Sequence, residues 1–321
     1  MMKTVDSSPA GTQDVARSDG PSLSRTENND NSIPVEAWNT ILFEKFSRFR
    51  WVVTAGLSAH SNELLDRRPY PAGARVLDIG CGFGDTTLGI AQQVGPEGAA
   101  IGVDCAPNFV ATAAQEARQA GVPNASFFVA DVQTDDLQGP YDFLFARFGT
   151  MFFNAPVAAL RNMRNALRPG GELSMIVWRC REDNPWVHEA ELRVREIVPA
   201  VSHEDTDEVH CGPGPFSMAG ADTASDMLRI AGYDRIAFER FDTEICIGPT
   251  LDDAVEFAMA LGPAGEIIRL AGEIGKRRRP EVVAALRASL ARYMRSDGVW
   301  TGSSSWFITA RHPPGGIDVR E

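Results

Sequence analysis

Long apolar runs are missing from this chain of 321 residues. None reaches the roughly 20 residues of a membrane-spanning helix, and the polar start MMKTVDSSPAGTQD has no apolar signal core. Cysteine is scarce and unpatterned. Cys81, Cys105, Cys180, Cys211 and Cys246 form no CxxC pair, which reads as reduced thiols rather than a disulfide frame or a zinc site. Basic residues are in deficit, 31 Lys and Arg against 43 Asp and Glu, for a net charge of −12. A chain so acidic has no broad basic face for nucleic acid. The one basic cluster, Lys276 to Pro280 (KRRRP), reads as a solvated helix end. No aspartates fall at metal-ligand spacing, so no metal is expected. These absences point to a cytoplasmic protein, monomer or homodimer, with neither a membrane nor a nucleic-acid partner.

What is present is an ordinary globular composition, 44% hydrophobic and 23% charged. Residues 1–33 are rich in Ser, Asp, Asn, Gly and Thr and are expected to form a disordered tail. Residues 34–321 are expected to form one domain. Its opening, residues 34–68, carries Trp38, Ile41, Leu42, Phe46, Phe49 and Val52 at helical spacing, predicting an amphipathic helix that docks on the core. Strands and helices then alternate: ARVLDI, DTTLGIAQQVG, AAIGVD, a helix from Pro107, ASFFVAD, YDFLFARF, a helix through Leu167, and GELSMIVW. That rhythm predicts βαβ units and a parallel sheet covered on both faces, an α/β fold. Further on come a helix from Pro185, an irregular loop HEDTDEVHCGPGPFSM, a strand DRIAFERFDTEICI, two or three helices over 251–296, and a closing strand SSWFITAR.

The stretch VLDIGCGFGDTT carries the chemistry. An apolar strand ends at Asp78 and runs into Gly80, Gly82 and Gly84, and a helix begins at once. Backbone without Cβ atoms turns tightly and lets a ligand lie close, at the carboxyl end of the first strand where doubly wound sheets bind ligands. Twenty residues beyond Gly84, Asp104 ends the second strand, placed to accept ribose hydroxyls. A nucleoside-containing cofactor follows. A dinucleotide fingerprint would need a small residue where Asp85 stands, and an acid at that helix start repels a pyrophosphate. Two carboxylates beside the loop suit S-adenosyl-L-methionine, which carries an ammonium, a sulfonium and no phosphate.

In order, VLDIGCGFGDTT, GVDCAPNFV, VADVQ, YDFLFARFGTMFF and LRPGGELSMIVW resemble the class I S-adenosylmethionine-dependent methyltransferases, and among them the small-molecule branch of ubiquinone/menaquinone type. The resemblance covers Trp38 to Trp178 closely and the remainder as a layout. It implies a doubly wound, Rossmann-like seven-stranded sheet of order 3-2-1-4-5-7-6 with the last strand antiparallel. It further implies that Asp78 orients the methionine ammonium, that Gly80, Cys81, Gly82 and Gly84 form the cofactor loop, and that Asp104 holds the ribose. Cys105 would pack beside the adenine, with Asp131 at its amino group and Val132 at its ring. Arg147, at the end of the fourth strand, either binds a carboxylate of the cofactor or acceptor or pairs with a sheet-end acid.

The fourth-strand segment ARFGTMFF lacks the asparagine-proline-proline-aromatic signature of base or amide methylation, so the acceptor is expected to be a small metabolite methylated on oxygen, carbon or nitrogen. His188 is the best candidate for a general base, should the acceptor have to lose a proton. Trp51, Trp186, Phe216 and Met218 are candidates for the acceptor pocket, roofed by residues 34–68 and 251–296. Two rivals stand: the same fold binding S-adenosylmethionine for other chemistry, and an NAD(P)-dependent oxidoreductase.

Overall fold

The computed structural model describes residues 32–199 and 213–315. The predicted tail lies outside them except for its last two residues, as does most of the predicted irregular loop, with His210 and Cys211.

The N-terminal segment is not one helix. It breaks into α1 (Ser32–Ala37), a π-helical turn over Trp38–Leu42, α2 (Phe43–Arg48) and α3 (Arg50–Val53), followed by α4 (Ser58–Arg67). Apolar periodicity survives the breaks because Phe49 and Val52 are buried, while Ile41 faces solvent. The alternating core follows with β1 (Arg75–Ile79), α5 (Asp85–Val94), β2 (Ala99–Asp104), α6 (Pro107–Gln119), β3 (Ala125–Val129), β4 (Tyr141–Arg147), α7 (Pro156–Ala166) and β5 (Leu167–Trp178). Pro107 and Pro156 open their helices at a position where no amide hydrogen is needed. Then come α8 (Pro185–Ile197), α9 (Ala221–Ile230), β6 (Asp234–Gly248), α10 (Leu251–Ala260), α11 (Pro263–Leu270), α12 (Gly272–Leu290), the two-residue β7 (Met294–Arg295) and β8 (Gly298–Arg311). KRRRP lies inside α12 rather than at a helix end, with Lys276 paired to Glu273 and Arg278 to Glu281 one turn away.

The sheet order is β3-β2-β1-β4-β5-β8-β6, with β7 paired to β8. Strands β1 to β5 pair in parallel, and β8 runs antiparallel to both β5 and β6. Without the β7 stub this is the expected seven-stranded order. Period-two alternation sorts β1 between the two faces. Leu77 and Ile79 join Leu144, Leu160 and Met163 beneath α7 and α9, while Val76 packs with Ile90, Val94 and Phe307 beneath α4 and α5. Each such fully buried side chain contributes about 1.5–3 kcal/mol. A third apolar cluster ties α8 to α10, α11 and α12 and reaches Phe49 and Val52 of the N-terminal segment. No helix among the described residues is long and apolar enough to cross a membrane.

Candidate active site

The chain leaves β1 toward β2 on one side and returns to β4 on the other, so β1 and β4 are neighbours at a switch in strand order. Brackets of loop splay apart there and open a crevice at the carboxyl ends of the strands. A cavity of about 790 Å³ occupies it, toward the roomy end of the roughly 300–1,000 Å³ typical of small-molecule sites. One wall is the ends of the first four strands: Gly80, Cys81, Gly82 and Phe83 after β1, Asp104 and Cys105 after β2, Asp131, Val132 and Gln133 after β3, and Arg147, Phe148 and Gly149 after β4. The other walls come from the N-terminal segment (Trp38, Phe46, Val53), from α8 (Trp186, Glu191, Arg195) and from α10 and α11 (Phe257, Glu266, Arg269).

Gly82 sits at φ +52°, and a Cβ built on it meets nothing within 4 Å. Open space in front of bare backbone is a cradle for a ligand. The loop's amides are already engaged. Gly80 and Cys81 donate to the Val103 carbonyl, Gly84 donates to the Cys81 carbonyl, and Gly82 donates to Asp104 Oδ2 at 3.1 Å. A pyrophosphate would seek those donors; a ligand free of phosphate does not. Asp104 also accepts from the Ala106 amide at 3.0 Å. Burial pushes its carboxyl upward, and these amides pull it back.

This chain is similar to known methyltransferases. A methyltransferase-domain family model matches residues 71–212. The chain is 28% identical over 266 residues to the nocamycin O-methyltransferase of Saccharothrix syringae, covering 79% of this chain and 90% of that protein. It is 35% identical over 171 residues to a trans-aconitate 2-methyltransferase of Methylobacterium nodulans, covering 53% of this chain and 57% of that enzyme. A solved structure described as a methyltransferase, from Bacillus halodurans C-125, covers 78% of this chain and 98% of its own at a TM-score of 0.50 and 14% identity, a likeness of fold alone. These matches support a class I S-adenosylmethionine-dependent methyltransferase.

Several predicted site residues of this methyltransferase do lie on the cavity wall: Gly80, Cys81, Gly82, Asp104, Cys105, Asp131, Val132, Arg147, Trp186 and Phe216. Others do not. Asp78 is buried beneath the loop, where Oδ2 accepts from the Thr86 and Thr87 hydroxyls at 2.7 and 2.6 Å. Burial raises its carboxyl to about 6 despite those bonds. It braces the start of α5 and is absent from the wall. Gly84 also faces away, with its missing Cβ directed at Ala113 and Phe127. His188 lies on a face of α8 outside the wall, Trp51 is half exposed outside it, and Met218 is packed in the core under β5. Trp51 and His188 lie on helices whose rotation turns them from the wall, and Met218 lies on the turn before α9.

Arg147 resolves toward the second of its two readings. Its guanidinium pairs with Asp85 at 2.8 Å and is nearly buried, while Nη1 also donates to Ser61 Oγ at 3.3 Å and Nη2 to the Val53 carbonyl at 3.5 Å. Cys81 is buried and its thiol is pushed well above its ordinary value by that burial, then by Asp104 and Asp78. It is filler, not a nucleophile.

The resemblance implied that residues 146–149 face the transferred methyl group, but sequence reasoning singled out neither Phe148 nor Trp178 as the floor of the cavity. Phe148 adopts φ +57°, a conformation that side chains rarely take, and its ring stacks on Trp178 at 3.9 Å. Behind the stack lies His60, fully buried, with Nδ1 2.9 Å from Ser305 Oγ and Nε2 2.8 Å from Ser303 Oγ. Ser303 Oγ donates to the Thr243 carbonyl, so Nε2 carries the proton and Nδ1 accepts from Ser305. Burial, then the charge of Arg147, lowers this histidine to about 3, with Asp242 opposing. A strand-end glycine at 149 was the one local signal for the bend.

Proposed function

We propose that this methyltransferase seats S-adenosyl-L-methionine along the β1 to β4 edge and methylates a small molecule held under the helical cover. Asp104 takes the ribose hydroxyls, Asp131 and Val132 flank the adenine beside Cys105, and the backbone of Gly80 to Gly82 lies against the methionine end. Asp85, ion-paired to Arg147, is the carboxylate of the loop that lines the cavity, so it replaces the buried Asp78 as the group nearest the ammonium. When bound, the cofactor supplies a methyl group already activated on a sulfonium, so no leaving-group proton is required.

The residues of this chain then have positioning work to do. Phe148 and Trp178 give a rigid aromatic floor, and Trp186 stands edge-on to Trp178 and stacks with Phe257 at 5.7 Å. The N-terminal segment closes from above, with Trp38 against Phe152 and Phe49 against Phe257. Alignment and exclusion of water are the effects such an enclosure can supply. No histidine lines the cavity among the described residues, which favours an acceptor atom that is nucleophilic as bound. One of the relatives named above is an O-methyltransferase, which supports oxygen as the methylated atom.

The observation that carries this reading is one cavity joining the Gly80–Asp104–Asp131 edge to an apolar chamber of Trp186, Phe216 and Phe257. Calorimetric titration of S-adenosylmethionine and S-adenosylhomocysteine into the wild type and Asp104→Ala tests it. Binding by the wild type, weakened at least about thirtyfold by the loss of two charge-assisted hydrogen bonds, is expected. A wild type that binds neither compound would refute the reading.

A further inference from the structure

We propose that the methyl acceptor carries an anionic group of carboxylate type, received by Arg181 and Arg195 across Glu191. This rests on the methyltransferase reading and names its substrate class. Apart from Lys45 and the strand-end acids Asp104 and Asp131, the charges on the cavity wall fall into three sets. Arg147 and Asp85 cancel at 2.8 Å, and Arg269 and Glu266 pair at 2.7 Å. The third set does not cancel. Glu191, on α8, is nearly buried and accepts from two guanidinium groups: Arg181 Nη1 reaches its two oxygens at 3.1 and 2.9 Å, and Arg195 Nε and Nη2 reach Oε1 at 2.9 and 2.7 Å.

One carboxylate against two guanidinium groups leaves one excess positive charge within this set; Glu182, which also feels Arg181, is exposed and screened by solvent. A structural ion pair is complete with one arginine; the second adds an uncompensated charge to a wall that is otherwise largely apolar. Both arginines remain about half exposed, at 46 and 54%. Among the described residues the bonds to Glu191 engage Nη1 of Arg181 and Nε and Nη2 of Arg195, so Nε and Nη2 of Arg181 and Nη1 of Arg195 remain as donors. Planar forks of this kind match a carboxylate's two oxygens. Glu191 holds both forks in place before any ligand enters.

The surroundings define the rest of the ligand. Arg181 follows β5 by three residues, beside the Trp178 end of the floor, and its guanidinium lies 5.4 Å over the Phe216 ring. Trp186 is on the same helix as Glu191 and Arg195. An anion on an aromatic or alicyclic body satisfies both features at once. The excess charge makes the neutral analogue the weaker ligand.

The test uses the full chain saturated with S-adenosylhomocysteine and a matched pair of probes, 2-naphthoate and 2-naphthamide, titrated calorimetrically. The acid should bind about tenfold or more tightly than the amide, the size of one charge-assisted bidentate contact. In the double variant Arg181→Gln with Arg195→Gln that preference should shrink to within about twofold, with affinity for S-adenosylhomocysteine unchanged. Glu191→Gln, which removes the resident competitor, should tighten 2-naphthoate several-fold; a merely structural role predicts loosening. Should the double variant lose S-adenosylhomocysteine binding, the Glu191→Gln result alone decides. Equal binding of acid and amide, binding of neither, or weaker 2-naphthoate binding in Glu191→Gln would overturn the proposal. Failure of the wild type to bind S-adenosylhomocysteine would bring down the cofactor reading first and this one with it.

Discussion

Two glycines two residues apart should respond to the same substitution in opposite ways. At Gly84, φ is +81° and an added Cβ would stand 2.8 Å from the Ala113 Cβ and 2.9 Å from Phe127 Cε1. Holding alanine in a left-handed conformation costs about 1–2 kcal/mol, and overpacking α5 against α6 and β3 adds about 1–3 kcal/mol. Gly84→Ala should therefore lose about 2–5 kcal/mol of stability, while the cavity wall, which Gly84 does not reach, keeps its shape. At Gly82, φ is +52° and the added Cβ meets no protein atom within 4 Å. Gly82→Ala should lose only the conformational term, about 1–2 kcal/mol, but its methyl group projects into the cradle. Urea unfolding followed by calorimetric titration with S-adenosylhomocysteine separates the two. Gly84→Ala should show the larger drop in midpoint and near wild-type affinity; Gly82→Ala should show the smaller drop and at least a tenfold loss of affinity. The reverse pattern would refute the assignment of Gly84 to packing and Gly82 to the ligand.

Stability should depend on pH through His60. Its folded value of about 3 lies below the ordinary 6.5, so protonation favours the unfolded chain. The stabilisation is complete above about pH 6.5 and is lost as pH falls toward 3, by an amount on the order of 5 kcal/mol. His60→Gln should flatten that part of the stability profile, measured by urea midpoints at stepped pH; an unchanged slope would disprove the role. His188→Ala and Trp51→Ala should each leave S-adenosylhomocysteine affinity within about twofold, since neither side chain lies on the cavity wall; a tenfold loss in either would show that the wall is drawn wrongly.

Local patterning was enough for the sheet and for the strand-end part of the cavity wall. Strands such as ARVLDI and AAIGVD are mostly apolar because both of their faces are covered, and that leaves a mark any sequence shows. Gly82 and Asp104 were readable for the same reason, since each follows a strand end at a fixed offset and a strand end lies on the ligand edge whatever the rest of the chain does. The expectation that Asp85 would be hostile to a pyrophosphate also needed only its place at the start of α5.

What tertiary structure decided is everything that depends on rotation or on distant partners. Asp78 and Asp85 are both acids beside the same loop; only the alternation of β1 and the turn into α5 sends one beneath the sheet to Thr86 and Thr87 and the other to Arg147. His188 and Glu191 lie on one helix, less than a turn apart, yet the wall takes Glu191 and leaves His188 outside it. Glu191 and Arg195 announce an i,i+4 pair in sequence, but Arg181 reaches them only because β5 ends beside α8. Sequence determined which chemistry the strand ends could offer, because backbone position follows from local periodicity. The cover and its charges were decided by packing, because contacts between segments far apart in the chain have no local signature.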